Sequence, residues 1–301
     1  MKKEVFTVGS FAKMRYAGTR RRRLGGAHSR VTMVNIDTMT GRSASVAAHP
    51  RRIDLGPEAQ RPNFTLNGVT LRIKERGRTV KIFDDMSATF PRGRNTVVLG
   101  NRDSGIKPLI RLLTGMENPR IGQISRNVQM SWPMNFAGHI STDFSMRENA
   151  LFIARLYGES TRSVSEFIRE MLGIGKEYDQ PMSNLPPDQK RYFPLALVLA
   201  IEFDCYILDK SVVISNKEFR ARWEAALAER LRTADLIQIT NKVKFIHPCH
   251  EMGAILEDGK LRMMSVAAAV AAFNEKPSEP DMDDLEDETE DEGDDERNAL
   301  F

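Results

Sequence analysis

The sequence predicts an α/β protein with a mostly parallel central sheet, and its apolar segments support this prediction. Three short runs have the length and composition of strands buried on both faces: residues 95–99, 205–209 and 236–240. Helical patterns lie between these runs, such as the amphipathic stretch 218–232. Alternating strands and helices favour a parallel sheet, whose functional edge lies at the carboxyl ends of its strands.

The part of the chain before this core is rich in strands and predicts a mixed β subdomain. Residues 64–74 read as two strands joined by an Asn67-Gly68 turn, and residues 81–90 as another strand. Short strand patterns continue to Trp132. A second hairpin is expected at residues 253–264, with an Asp258-Gly259 turn.

A helical insertion is expected at about residues 145–200. Residues 147–158 have a helical period that places Leu151, Phe152, Ala154 and Leu156 near one face. Residues 163–174 form a second helix capped by a serine, and residues 187–203 a third that bends or begins near Pro194.

Charge divides the chain into three parts. Residues 1–62 carry 13 Lys or Arg against 4 Asp or Glu, and we expect a basic, mobile extension; a segment binding anionic lipid or an acidic partner is the alternative. Residues 63–275 form the folded domain, and residues 276–301, with 2 basic and 13 acidic residues, a disordered acidic tail.

Several classes of protein are disfavoured. The longest apolar runs are far shorter than the roughly 20 residues that cross a bilayer, and the first residues lack the apolar core of a secretory signal. The two cysteines, Cys205 and Cys249, have no zinc-binding spacing and are expected to be reduced thiols, so no metal site is predicted. No recognisable nucleic-acid-reading module accompanies the basic residues, so nucleic acid is not expected as a partner.

The segment Leu99–Gly115 resembles an altered phosphate-binding loop. Gly100 and Gly105 have the spacing of the P-loop, and an apolar strand and a helix flank them. The residues that follow should be Gly-Lys-Ser/Thr, but the chain reads Gly105-Ile106-Lys107-Pro108. Either the architecture persists without its chemistry, or Lys107 replaces the missing lysine.

Longer motifs resemble one family. The order of elements is that of an ABC-transporter nucleotide-binding domain, a P-loop NTPase-like fold. Residues 130–139 ("MSWPMNFAGH"), 147–158 ("RENALFIARLYG") and 203–209 ("FDCYILD") look like stretches of the ATPase subunits of capsular-polysaccharide exporters. The resemblance covers about residues 64–265.

The resemblance implies an ATP- and magnesium-binding site whose chemical residues are replaced. Gly100, Gly105, Lys107 and Asp209 would be remnants of the nucleotide site, with Asp209 ending the Walker B strand. The following carboxylate, the general base, is replaced by Lys210. The other positions that have changed are the P-loop lysine (Ile106), the Q-loop glutamine (Ser141), the signature motif (Leu185–Gln189), the D-loop aspartate (Asn216) and the switch histidine (Asn241).

This pattern predicts a catalytically degenerate subunit with no catalytic residues, whose binding of ATP and magnesium is weak at most. The resemblance implies an ABC-2-type membrane permease as partner, a heterodimer with an intact ATPase paralogue, and a cytoplasmic position on the inner face of the membrane. Trp132, Arg147, Glu148 and Tyr157 are candidates for the permease contact. Two alternatives are a weakly active ATPase that uses Lys107, and a non-transporter adaptor built on the same fold.

Overall fold

The computed structural model describes residues 62–275, except residues 76–77, 135, 211 and 213. The basic extension predicted for residues 1–62 and the acidic tail predicted for residues 276–301 therefore lie outside the described residues, apart from Pro62. The elements follow in the order β1 (Phe64–Glu75), β2 (Arg78–Phe90), β3 (Thr96–Gly100), α1 (Ile106–Leu113), β4 (Ile121–Arg126), β5 (Met130–Pro133), α2 (Met146–Tyr157), α3 (Thr161–Leu172), α4 (Pro187–Ala200), β6 (Cys205–Asp209), α5 (Lys217–Arg230), β7 (Asp235–Thr240), β8 (Met252–Glu257), β9 (Lys260–Met264) and α6 (Val266–Asn274).

The strands form two sheets. An antiparallel sheet has the order β2-β1-β4, and a second sheet has the order β5-β6-β7-β3-β8-β9. In the second sheet β5, β6, β7, β3 and β8 are parallel, and only β9 is antiparallel to its neighbour. The predicted mixed β part and parallel core are both present, and helices α2 to α4 form the helical insertion.

The central strands bury both faces, as their apolar sequences predict. In β3, Val98 packs against α1 and the antiparallel sheet, whereas Val97 and Leu99 pack against α6. In β6, Ile207 belongs to the first of these clusters, and Tyr206 packs with the helical insertion. This alternation follows from the two-residue period of a strand. Because β3, β6 and β7 are parallel, their carboxyl ends lie at one edge of the sheet.

The predicted turn at Asn67-Gly68 is wrong. The chain continues through it as the single strand β1, and Asn67 and Gly68 stand opposite the one residue Ser87 of β2. Gly68 has φ +59° and donates its backbone N–H to the Ser87 hydroxyl at 2.9 Å. The pair is therefore a β-bulge, which uses the same left-handed glycine as a tight turn.

The second predicted turn is confirmed. Asp258 and Gly259 have φ values of +48° and +70°, and they join β8 to β9 with Glu257 opposite Lys260. Two successive positive φ values match the twist of a two-residue hairpin.

The buried face of helix α2 agrees only in part with the prediction, because Ala154 is buried and Leu156 is partly buried, but Phe152 is not. Phe152 is 46% exposed, and the buried residues of this helix are Met146, Asn149, Ala150, Ile153 and Ala154. The spacing i, i+3, i+4, i+7, i+8 is a regular apolar stripe that includes one amide side chain. The prediction missed it because Asn149 interrupts the apolar pattern.

Candidate functional site

The loop between β3 and α1 keeps the shape of a phosphate-binding loop. Gly105 has φ +97° and ψ +25° and precedes the first residue of α1. A Cβ at this glycine would lie 2.7 Å from Ile82 Cγ2 and 2.8 Å from Phe83 Cε1, so the position requires glycine for space as well as conformation. A Cβ at Gly100 would lie 2.6 Å from the Ser104 hydroxyl, which itself donates to the Asn101 carbonyl at 2.6 Å.

The three side chains after Gly105 differ from those of a working P-loop. Ile106, at the position of the P-loop lysine, is 7% exposed and packs in the core beneath the antiparallel sheet. Lys107, at the position of a magnesium ligand, is exposed, and Pro108 lacks a backbone N–H in the first turn of α1. The helix therefore directs an apolar side chain into the core at the position where the family's ammonium would meet phosphates.

Asp209 and Lys210 lie at the carboxyl end of β6, on the same edge of the sheet as the loop after β3. Burial raises the pKa of the half-buried Asp209 carboxyl, and the positive charges of Lys210 and Lys107 offset part of that increase. Lys210 adopts φ +63°, and its backbone N–H donates to the Ile239 carbonyl at 2.7 Å. The structure thus brings together Gly100, Gly105, Lys107 and Asp209, with Lys210 beside them.

The buried amide of Gln238 on β7 joins the turn after β6 to the loop after β7. Its Nε2 donates to the carbonyls of Lys210 at 2.9 Å and Phe245 at 2.8 Å, and its Oε1 accepts from the His247 N–H at 3.0 Å. Asn241 begins this second loop, at the position of the switch histidine, and is half-buried. Sequence reasoning missed Gln238, although a lone amide within an otherwise apolar strand was a signal for it.

Ser141 lies in the segment that leads from β5 into α2. Its N–H donates to Asn149 Oδ1 at 3.0 Å, and Asn149 Nδ2 donates to the carbonyls of Ser141 and Ser145, each at 2.9 Å. The buried Asn149 therefore fastens this segment to α2. Asn216, at the D-loop position, caps α5 by accepting the Phe219 N–H at 2.9 Å.

The four contact candidates divide into two kinds. Trp132 is fully buried, with its ring 5.3 Å from that of Phe203 and 5.6 Å from that of Tyr157, so its candidacy as a surface contact was wrong. Tyr157 is half-buried in the same aromatic cluster, and burial raises the pKa of its hydroxyl to about 12. Arg147 and Glu148 are exposed on the first turn of α2.

Local contacts hold both exposed candidates. Arg147 pairs with Asp179, and Glu148 completes a capping box with Ser145, in which each accepts a backbone N–H from the other. Hydrogen bonds from Ser145 lower the pKa of the Glu148 carboxyl. Phe144 and Phe152, missed as surface residues, are 55% and 46% exposed beside them. Phe144 precedes the capping residue of α2 and Phe152 lies in the middle of this helix, so both are candidate contact residues, although single exposed apolar residues are common on protein surfaces.

These residues do not fit a magnesium nucleotide. Magnesium prefers oxygen ligands in an octahedral arrangement, but the residue that should provide the P-loop hydroxyl is a lysine, and another lysine follows Asp209. Among the residues that the structure describes, no three His, Cys, Asp or Glu side chains are arranged to hold a metal ion. Across residues 62–275, gaps aside, every helix is too short or too polar to cross a membrane.

Comparison with known proteins agrees with the architecture. The chain is 27% identical over 180 residues to the capsule polysaccharide export ATP-binding protein CtrD of Neisseria meningitidis, covering 60% of this chain and 83% of that protein. It is 26% identical over 178 residues to the ATP-binding protein BexA of Haemophilus influenzae, covering 59% and 82%. It is also 27% identical over 164 residues to the polysialic acid transport ATP-binding protein KpsT of Escherichia coli, covering 54% and 73%. No protein-family model matches the chain.

Solved structures of ATP-binding cassettes share the fold. The ATP-binding subunit of an ABC transporter superposes with a TM-score of 0.57 at 14% identity, covering 75% of this chain and 98% of that one. A cassette in a post-hydrolysis dimer with ADP and phosphate gives a TM-score of 0.55 at 13% identity, covering 67% and 98%. The chain has the fold of an ABC nucleotide-binding domain and is similar in sequence to the ATP-binding subunits of capsular-polysaccharide exporters.

Proposed function

We propose that this chain is a catalytically degenerate ATP-binding-cassette subunit of a capsular-polysaccharide or exopolysaccharide export transporter. In this role it is a structural or regulatory partner of a membrane permease subunit, and it lies on the cytoplasmic face of the membrane. The observation that carries the proposal is the burial of Ile106 in the core at the position of the P-loop lysine. Phosphoryl transfer requires positive charge that neutralises the phosphates and a group that orients the attacking water. An isoleucine at this position cannot provide the positive charge.

The replacement of Walker B's carboxylate supports the same reading. A general base must accept a proton or orient the attacking water, whereas an ammonium at Lys210 is a donor only. The backbone around Lys210 is held in place by Gln238 and Ile239, so the turn is well ordered while its side chain has the opposite charge.

The start of α4, at the position of the signature motif, favours a dimer with a different chain over a dimer of two copies of this chain. In the family each nucleotide lies between one P-loop and the signature motif of the other domain. Here α4 begins after Pro186 with Pro187 as its first residue, no side chain caps it, and Asp188 in its first turn is exposed. A dimer of two copies of this chain would therefore have an altered P-loop and an altered signature motif at both nucleotide sites. This favours a heterodimer with an intact ATPase paralogue.

The catalytic half of the proposal is tested by ATP turnover. Full-length chain, alone and with its membrane subunit, should hydrolyse ATP no faster than the matched Asp209→Ala variant. Magnesium-dependent turnover that Asp209→Ala abolishes would instead establish the alternative, a weakly active ATPase in which Lys107 replaces the lost lysine.

The partner half is tested by co-purification with a membrane permease subunit of a polysaccharide exporter from the same organism. Phe144→Asp and Phe152→Asp should each reduce recovery, because a buried charge is costly at an apolar contact. Ile121→Asp is the matched control, since Ile121 is an apolar residue 59% exposed on β4 and distant in sequence from α2. Equal recovery for all three variants would remove this surface from the proposal.

The adaptor alternative depends on residues 1–62 and 276–301, which, apart from Pro62, the structure does not describe. Deletion of either segment distinguishes it. If recovery of the membrane subunit depends only on residues 63–275, the adaptor hypothesis fails. Contact of the basic arm with anionic lipid remains part of this proposal and is tested by vesicle flotation of the chain with and without residues 1–62.

A further inference from the structure

Two lysines lie at the same edge of the sheet as Asp209, the edge where the family binds nucleotide phosphates. Lys107 is the second residue of α1, directly after the loop that ends in Gly105, and Lys210 follows Asp209 at the end of β6. Both are exposed at this edge of the sheet, whereas Asp209 is half-buried. Both act electrostatically on the Asp209 carboxyl.

The position of Lys210 is built into the fold. Its backbone is held on both sides, by the bond from its N–H to Ile239 and by the bond from Gln238 to its carbonyl. The same Gln238 holds the loop that contains Lys242, whose ammonium lies 5.7 Å from the centre of the Phe245 ring. Lysines therefore follow the carboxyl ends of β6 and β7, and a third lysine lies in the first turn of the helix after β3.

The charge at this edge favours anions over cations. In the loop after β3 the formal charges of Arg102 and Asp103 cancel, so Lys107 and Lys210 outweigh the single carboxylate of Asp209 at this edge. A divalent cation bound there would meet two like charges, whereas a phosphate oxygen would meet two opposite ones. The backbone N–H groups of Ile106 and Lys107 at the start of α1 are hydrogen-bond donors that also favour an anion.

We propose that the Lys107 and Lys210 ammonium groups take the place of a magnesium ion at this site, which binds a polyphosphate group free of divalent metal. The inference deepens the proposed function, on which it rests, by naming the ligand class that the altered loop accepts. A metal-free triphosphate carries more negative charge than its magnesium complex and is therefore the form that two lysines attract more strongly.

The test is calorimetric titration of the full-length chain with ATP and, separately, with inorganic tripolyphosphate, each in EDTA and in excess magnesium. Binding in EDTA should be about tenfold tighter than in magnesium. Lys107→Gln and Lys210→Gln should each weaken binding in EDTA by about tenfold, while the exposed Lys176→Gln leaves it unchanged. Tripolyphosphate binding as tight as that of ATP places recognition on the phosphates; tighter binding of ATP adds a contact to the nucleoside.

Asp209→Asn gives the sharpest discrimination, because the two kinds of site respond with opposite signs. Removal of this negative charge should strengthen metal-free binding, whereas it would weaken a magnesium-dependent site. Absence of binding in EDTA, a requirement for magnesium, or full affinity in both lysine variants would overturn the inference. Absence of binding together with absence of turnover leaves the proposed function standing, and turnover that Asp209→Ala abolishes overturns the proposed function itself.

Discussion

Replacement of Gln238 by alanine should destabilise the protein through the loss of one buried amide. This side chain is fully buried on β7 and makes three hydrogen bonds, at 2.8, 2.9 and 3.0 Å, to the backbone of Phe245, Lys210 and His247. Those three residues belong to the two segments that flank the altered nucleotide site. The substitution therefore perturbs the connection between them without changing any charged group.

The expected decrease in the free energy of unfolding follows from the three hydrogen bonds that Gln238→Ala removes. A typical buried hydrogen bond contributes about 1 kcal/mol, and a polar group that loses its bond within the interior costs about 1–3 kcal/mol. Three bonds to backbone groups predict a loss of roughly 3–4 kcal/mol in the free energy of unfolding. Gln238→Glu should be at least as damaging, because a carboxylate cannot donate to the carbonyls of Lys210 and Phe245.

Urea denaturation followed by circular dichroism measures this loss, with the m value expected to stay unchanged. The matched control is Gln123→Ala on the exposed strand β4, which should change stability by less than about 0.5 kcal/mol. A loss below about 1 kcal/mol for Gln238→Ala would refute the reasoning, since the three bonds would then contribute almost nothing.

Three further predictions concern single positions. Gly105→Ala should lower the free energy of unfolding by about 2 kcal/mol or more, measured by urea denaturation, because its φ of +97° and the 2.7 Å approach to Ile82 both oppose a side chain. Asn216→Ala should cost about 1 kcal/mol by the same measurement through loss of the cap on α5, and Asn216→Asp, which keeps an acceptor, should recover most of it. Burial lowers the pKa of His139 to about 4, below its ordinary 6.5, so stability is lost as pH falls through this window, by at most about 1.4 kcal/mol per pH unit. Thermal unfolding from pH 7 to pH 4 should show a shallower pH dependence in His139→Phe, and an unchanged slope would contradict this assignment.

Short sequence patterns predicted the correct element wherever a single physical constraint determined the structure. The apolar runs of β3, β6 and β7 predicted buried strands because both faces of a covered parallel sheet exclude polar residues. Asp258-Gly259 predicted a hairpin because two successive residues with positive φ suit few other structures. The same logic failed at Asn67-Gly68, where a glycine with positive φ formed a bulge, because pairing with β2 continues on both sides of it.

The fold class, the order of its elements and the residues of the altered phosphate-binding loop follow from the amino-acid sequence alone. Periodicity, glycine spacing and side-chain chemistry are properties of neighbours along the chain, and they need no knowledge of the rest of the molecule. The tertiary structure alone decided which side chains face one another. It buried Trp132, exposed Phe152, placed Gln238 between two loops and put Lys107 at the same edge of the sheet as Asp209. These are relations between residues distant in sequence, and they depend on how strands register and helices pack.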